Sequence, residues 1–76
     1  MDGPVIAPSA RRHRVPDEAI LHAFNNPIRV EAHDGGFTMI VGGDRAGQLM
    51  EVGFVEADDE RVVIIHAMAA RPKHLR

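Results

Sequence analysis

Five histidines, nine Lys and Arg residues and eleven carboxylates are the groups in this 76-residue chain that can move protons or bind phosphate. His66 stands out among them. It closes the most hydrophobic run, Val62-Val63-Ile64-Ile65, and precedes a basic segment holding Arg71 and Lys73. An imidazole at a strand end beside fixed cations is equipped for general acid–base chemistry on a phosphodiester, the cations stabilising charge that builds on the phosphoryl oxygens. The plainer role is a histidine that ends a strand by hydrogen bonding. Glu51 is the second candidate, a carboxylate inside the apolar stretch Leu49-Met50-Glu51-Val52. It orients His66, pairs with Arg71, or is simply solvated.

A further basic cluster, Arg11-Arg12-His13-Arg14, offers Arg12, His13 and Arg14 as phosphate contacts, with Lys73 from the far end of the chain. The alternative is that both basic ends are solvated tails. Gly42-Gly43-Asp44-Arg45-Ala46-Gly47 has the glycine spacing of a phosphate loop, but Gln48-Leu49 stand where Lys-[Ser/Thr] is needed. A hairpin turn is the expectation there. The histidines lack the i, i+4 spacing of a helical metal site and no cysteine accompanies them, so neither a metal nor a cofactor is expected. His22 follows Glu18 by four residues and reads as a surface helical pair.

The elements that must position these groups are legible from periodicity. Residues 1–10 read as a loosely held lead-in with an extended Pro4–Ala7 edge, and residues 11–76 as one domain. Pro16, Asp17 and Glu18 open a helix of about ten residues. Its apolar face is Ala19, Ile20, Ala23 and Phe24, with Asn25-Asn26 as a left-handed cap and Pro27 as a stop. The period then changes to two. Strands are expected at 28–32, 37–41, 48–56 and 61–67, joined by short turns that force antiparallel neighbours. Parity puts Phe37, Met39 and Val41 with Met50, Val52 and Phe54 against the helix. Thr38, Ile40, Leu49, Glu51 and Gly53 then form a partly open face suited to a ligand. Residues 69–76 read as a polar, basic tail. The fold class is α+β, one short helix on a four-stranded antiparallel sheet.

Length and composition narrow the rest. A chain this short buries only about 60% of its unfolded surface, and without cysteine it has no disulfide to compensate. A homo- or hetero-oligomer is therefore expected. No secretory signal and no run of about 20 apolar residues is present, so a cytoplasmic protein without a membrane span is expected. Charge is unevenly distributed. Residues 31–60 carry Arg45 alone against eight acids, whereas residues 61–76 carry four cations and no acid.

Two stretches resemble a known family. Arg12-His13-Arg14-Val15, Glu18-Ala19, Ala23-Phe24 and Asn26-Pro27 are similar to the lysine-histidine-x-valine, glutamate-alanine, phenylalanine and proline pattern of the BrnT-like toxins. Val63–Arg71 resembles the closing strand of that family, with His66 where the family has serine and Met68 where it has arginine. The likeness spans roughly residues 11–74. It implies a RelE-like ribonuclease fold, RNA on the open sheet face and cleavage by attack of the ribose 2′-hydroxyl without a metal. It also implies a DNA-binding antitoxin as partner. On that reading His66, Arg71 and Glu51 are catalytic, and Arg12, His13, Arg14 and Lys73 bind RNA. The competing expectation is a non-catalytic binding module of the same fold; a small histidine-dependent metal regulator is a third.

Overall fold

The computed structural model describes residues 3–75; Met1, Asp2 and the tail's Arg76 lie outside the described residues. One helix, α1 (Asp17–Asn25), packs on a five-stranded sheet. The strands are β1 (Val5–Ile6), β2 (Pro27–Ala32), β3 (Phe37–Gly43), β4 (Leu49–Glu56) and β5 (Val62–Ala69), in the spatial order β1-β5-β4-β3-β2. Four are antiparallel meander strands. The fifth, β1, lies parallel to β5 with Val5 beside Val63 and Ile6 beside Ile64. The class is α+β as expected, but the sheet is five-stranded and mixed, not four-stranded and antiparallel. The physical reason is that two residues are too few to show a period, and their pairing depends on an edge left open by β5.

The segment after β1 folds back as a 3-10 turn, Pro8–Arg11, whose Ala10 is completely buried in the core. Arg14 then adopts a left-handed conformation (φ 61°), and its N–H donates to Arg11 O as the chain turns toward α1. Arg11 forks onto Asp17 with bonds of 3.0 and 2.8 Å, tying this turn to the first turn of the helix.

Helix α1 begins after Pro16, which supplies the first acceptor, to Ile20 N. Ile20 and Ala23 are fully buried, and Phe24 meets Phe54 edge to face at 5.5 Å. At its end Asn26 is not left-handed (φ −131°). Its side-chain amide instead donates to His22 O at 2.7 Å, satisfying a terminal carbonyl. His22 is not paired with Glu18. Its Nδ1 hydrogen-bonds Gly43 O at 2.7 Å, whereas Glu18 pairs with the exposed Arg45.

Sheet register decides the faces. Ile40 lies beside Val52, Thr38 beside Phe54 and Gly42 beside Met50, all on the helix side. Phe37, Met39 and Val41 lie beside Val55, Gly53 and Glu51 on the other side. The parity reading therefore inverted β3. Alternation fixes which residues of one strand share a face, but turn length fixes which face of the next strand they join. Gly42 marks the side independently: a Cβ there would collide with the carbonyl oxygen of Ala23 and lie 2.8 Å from that of Asn26.

The glycine-rich turn is a hairpin connection, as expected. Asp44 Oδ1 accepts from the N–H groups of Ala46 and Gln48, and Gly47 takes φ 83°.

Gly42→Ala should lower the urea midpoint substantially, by about 1–3 kcal/mol of stability or more, because rigid backbone blocks the added methyl. Gly43→Ala, where a Cβ meets nothing within 4 Å, should be neutral or slightly stabilising. Equal effects of the two would refute the close helix–strand approach.

Candidate functional site

A carboxylate with no solvent exposure sits in the middle of the sheet. Glu51, in central strand β4, is 0% exposed. Such a charge is tolerated only when its oxygens are filled with donors. Arg71 fills most of them. Its backbone N–H donates to Oε1 at 2.9 Å, Nε lies 3.0 and 3.2 Å from the two oxygens, and Nη2 donates to Oε2 at 2.6 Å. His66 Nε2 completes the set at 2.7 Å from Oε2. Burial, the largest single influence, pushes the Glu51 carboxyl up. The hydrogen bonds from Arg71 and His66, with the Arg71 charge, outweigh it and bring the pKa down to about 2.

His66 reaches Glu51 because of a bulge. Phe54 pairs with Ile64 but Gly53 pairs with His66, so Ile65 is the extra residue. Without it His66 would fall opposite Val52 and point at the core; with it His66 joins the Glu51 face. The N-terminal segment holds the bulge, since Ala7 N–H donates to Ile64 O at 2.9 Å and Ser9 Oγ to Ile65 O at 2.8 Å. The same segment delivers His13, whose ring centroid lies 5.9 Å from that of His66 with the planes at 80°. The His66 side chain is 25% exposed and that of Arg71 42%.

The face expected to be open is instead crossed by the chain after β5. A 3-10 turn, Pro72–His74, brings His74 down between two carboxylates. Its Nδ1 lies 3.4 Å from Glu31 Oε1 and its Nε2 3.7 Å from Glu51 Oε2; His74 Nε2 is buried and has no hydrogen bond among the described residues. Arg29 pairs with Glu31 at 3.1 Å and donates from Nη1 to His74 O at 3.2 Å. Sequence reasoning missed His74 as a site neighbour. It lay in what read as a solvated tail, and no periodic signal links it to β2.

Of the residues singled out from sequence, Glu51, His66, Arg71 and His13 come together. Arg14 lies beside His13 on a groove of about 420 Å³ that also involves Asp44, Gln48 and Met68. Arg12 and Lys73 are exposed and make no ion pair among the described residues. Neither is drawn into the Glu51 cluster. Among the described residues no group of three His, Asp or Glu side chains is arranged to hold a metal ion, and no helix is long and apolar enough to cross a membrane. Searches against protein-family models, curated proteins and solved structures find no match to this chain.

The Glu51 pKa makes stability depend on acid. Because the carboxyl is more acidic folded than unfolded, its contribution is complete above the unfolded value of about 4.5 and is lost as pH falls toward about 2. The loss should be on the order of 3 kcal/mol. Urea midpoints measured across that window should fall steeply for the natural sequence and much less for Glu51→Gln. Parallel curves would show that the carboxylate is not held as described.

Proposed function

We propose that the protein is a metal-independent endoribonuclease of the BrnT-like toxin type, with a RelE-like fold and a DNA-binding antitoxin as its partner in the cytoplasm. The observation that supports this reading best is the buried Glu51 carboxylate, which fixes His66 and Arg71 beside a second imidazole, His13. A carboxylate that accepts from Nε2 selects the imidazole tautomer with the other nitrogen, Nδ1, as a base. No hydrogen bond engages His66 Nδ1 among the described residues. In this mechanism Nδ1 takes the proton of a ribose 2′-hydroxyl as its oxygen attacks the adjacent phosphorus. The bond from phosphorus to the 5′-oxygen breaks, and protonated His13 supplies a proton to that oxygen. Products are a 2′,3′-cyclic phosphate and a 5′-hydroxyl. Arg71 has Nη1 left beyond its bonds to Glu51 and offers it to the phosphoryl oxygens. The groove beside His13 and Arg14 accommodates the neighbouring nucleotide, with Arg12 and Lys73 as outer phosphate contacts.

A non-catalytic binding module is the second reading. It is favoured by the fact that Nε and Nη2 of Arg71, the two atoms best placed for a bidentate phosphate contact, are already committed to Glu51.

The two readings separate in one experiment. Purified protein incubated with single-stranded RNA and a chelator should cleave it and leave cyclic phosphate ends. His66→Ala and His13→Ala should each reduce the rate by about 10²–10⁴. His13 is exposed and its removal should leave circular dichroism unchanged, whereas His66→Ala takes a donor from the buried Glu51 and is assayed at a temperature where its circular dichroism still matches the natural protein. Arg71→Ala is expected to lose activity and stability together. A folded natural protein with no cleavage, or full cleavage by His66→Ala, would remove the nuclease reading and leave the binding module.

A further inference from the structure

Strand β2 closes one side of the sheet, and among the described residues no strand pairs with its outer edge. Two of the four large hydrophobic residues that stand exposed are on it, Ile28 at 69% and Val30 at 61%. Val30 pairs with Ile40, so it lies on the helix side of the sheet. Helix α1 covers β3 and β4 but does not extend over β2, leaving the Val30 side chain beyond its flank. An exposed edge with an apolar row beside it is a template for strand addition.

The backbone defines which groups are on offer. His33 N–H donates to Phe37 O at 2.8 Å, at the turn end of the β2–β3 ladder. Antiparallel alternation then turns the N–H and C=O groups of Glu31 and Arg29 toward β3 and those of Val30 and Ala32 outward. Ile28 is the extra residue of a bulge, since Pro27 pairs with Gly42 and Arg29 with Val41. The regular outward edge is thus short, running from residue 29 to residue 32.

We infer that β2 is a homodimer interface, in which two copies pair antiparallel about a two-fold axis through Val30. Charge sets this register above those centred on Arg29 or Glu31. With Val30 opposite its own copy, Arg29 faces Glu31 of the second copy and Glu31 faces its Arg29. Moving the axis to Arg29 sets Arg29 against Arg29, and moving it to Glu31 sets Glu31 against Glu31. Like charges directly opposite destabilise a ladder, whereas opposite charges support it. Arg29 and Glu31 already pair within the strand at 3.1 Å, so the dimer joins two neutral pairs into an alternating cluster. In this register the regular pairing covers residues 29 to 31 of each copy. The exposed Val30 side chains of both copies then meet on the helix face of the joined sheet. The pairing joins both sheets into one, and it supplies the partner surface that a domain this small lacks.

The chain has no cysteine, which makes the register directly measurable. Two Val30 Cα atoms facing each other in a hydrogen-bonded pair lie about 5.5 Å apart, within disulfide range. Under mild oxidation Val30→Cys should cross-link to the dimer, whereas Ala32→Cys, displaced from its own copy along the edge, should not. Sedimentation of the natural protein over a concentration series should give a dimer mass that falls to monomer on dilution. Val30→Lys, a change at an exposed position, should remain monomeric with an unchanged circular dichroism spectrum. A natural protein that is monomeric throughout, a dimer that survives Val30→Lys, or cross-linking of Ala32→Cys as ready as that of Val30→Cys would each overturn the proposal.

Discussion

Everything on the non-helical face of this sheet follows from the need to satisfy one buried carboxylate. Glu51 lies in the central strand with no exposure to water, so its charge must be met by donors that the chain brings to it. Two come from β5 and the segment after it, and they fix that segment in place. Arg71 contributes both its backbone N–H and its guanidinium from extended backbone, just before the turn at Pro72–His74. Ala70 N–H in turn donates to Leu49 O at 3.0 Å, extending the β4–β5 ladder up to that turn. Removing one partner of such a cluster typically costs about 3–5 kcal/mol. That is a large share of the roughly 5–15 kcal/mol that holds a domain together. The carboxylate is therefore a fold determinant, whatever chemistry its neighbours perform.

The acidic middle of the chain is also clarified by where its charges go. Eight acids between residues 31 and 60 suggest a surface hostile to phosphate. Several of them are engaged by groups of the chain itself. Glu51 is neutralised by Arg71, and Glu31 lies within ion-pair distance of Arg29, His33 and His74. Asp44 and Asp59 accept backbone N–H groups inside tight turns. Net charge counts Glu51 and Glu31 at full weight, although the first is buried against Arg71 and the second is paired with Arg29.

How far the sequence could be read depended on the range of the interaction concerned. The helix, the turns and the four long strands follow from local rules: Pro16 and Pro27 bracket α1, and Asp34-Gly35-Gly36 and Asp44–Gly47 supply the positive φ and side-chain acceptors of their turns. Glu51, His66 and Arg71 were legible as residue types out of place in their surroundings. Their contacts were only partly so, because each needs a register. His66 would face the core if Ile65 were not bulged, and nothing in Val62–Ala67 announces a bulge. The bulge is fixed by Ser9 and Ala7, more than fifty residues away in sequence. The inversion of β3 has the same origin. Phe37, Met39 and Val41 alternate correctly, but only the close approach of Gly42 to the helix backbone says which side they take. His74 depends on Glu31 and Glu51 together, a relation with no sequence period at all.

The same long-range contacts link parts of the molecule that look independent. Glu31 belongs to the edge strand, yet its carboxylate lies 3.4 Å from His74 Nδ1, and the opposite nitrogen of that ring lies 3.7 Å from Glu51. The ring is buried and its Nε2 has no hydrogen bond, so it cannot compensate by turning toward water. One side chain therefore lies between the carboxylate of β2 and the carboxylate that orients His66. Packed polar clusters couple in this way because each member's partners are also its neighbours' partners, and energies within them do not add. The edge, the tail and the imidazole pair are thus contiguous, with Glu51 at their centre.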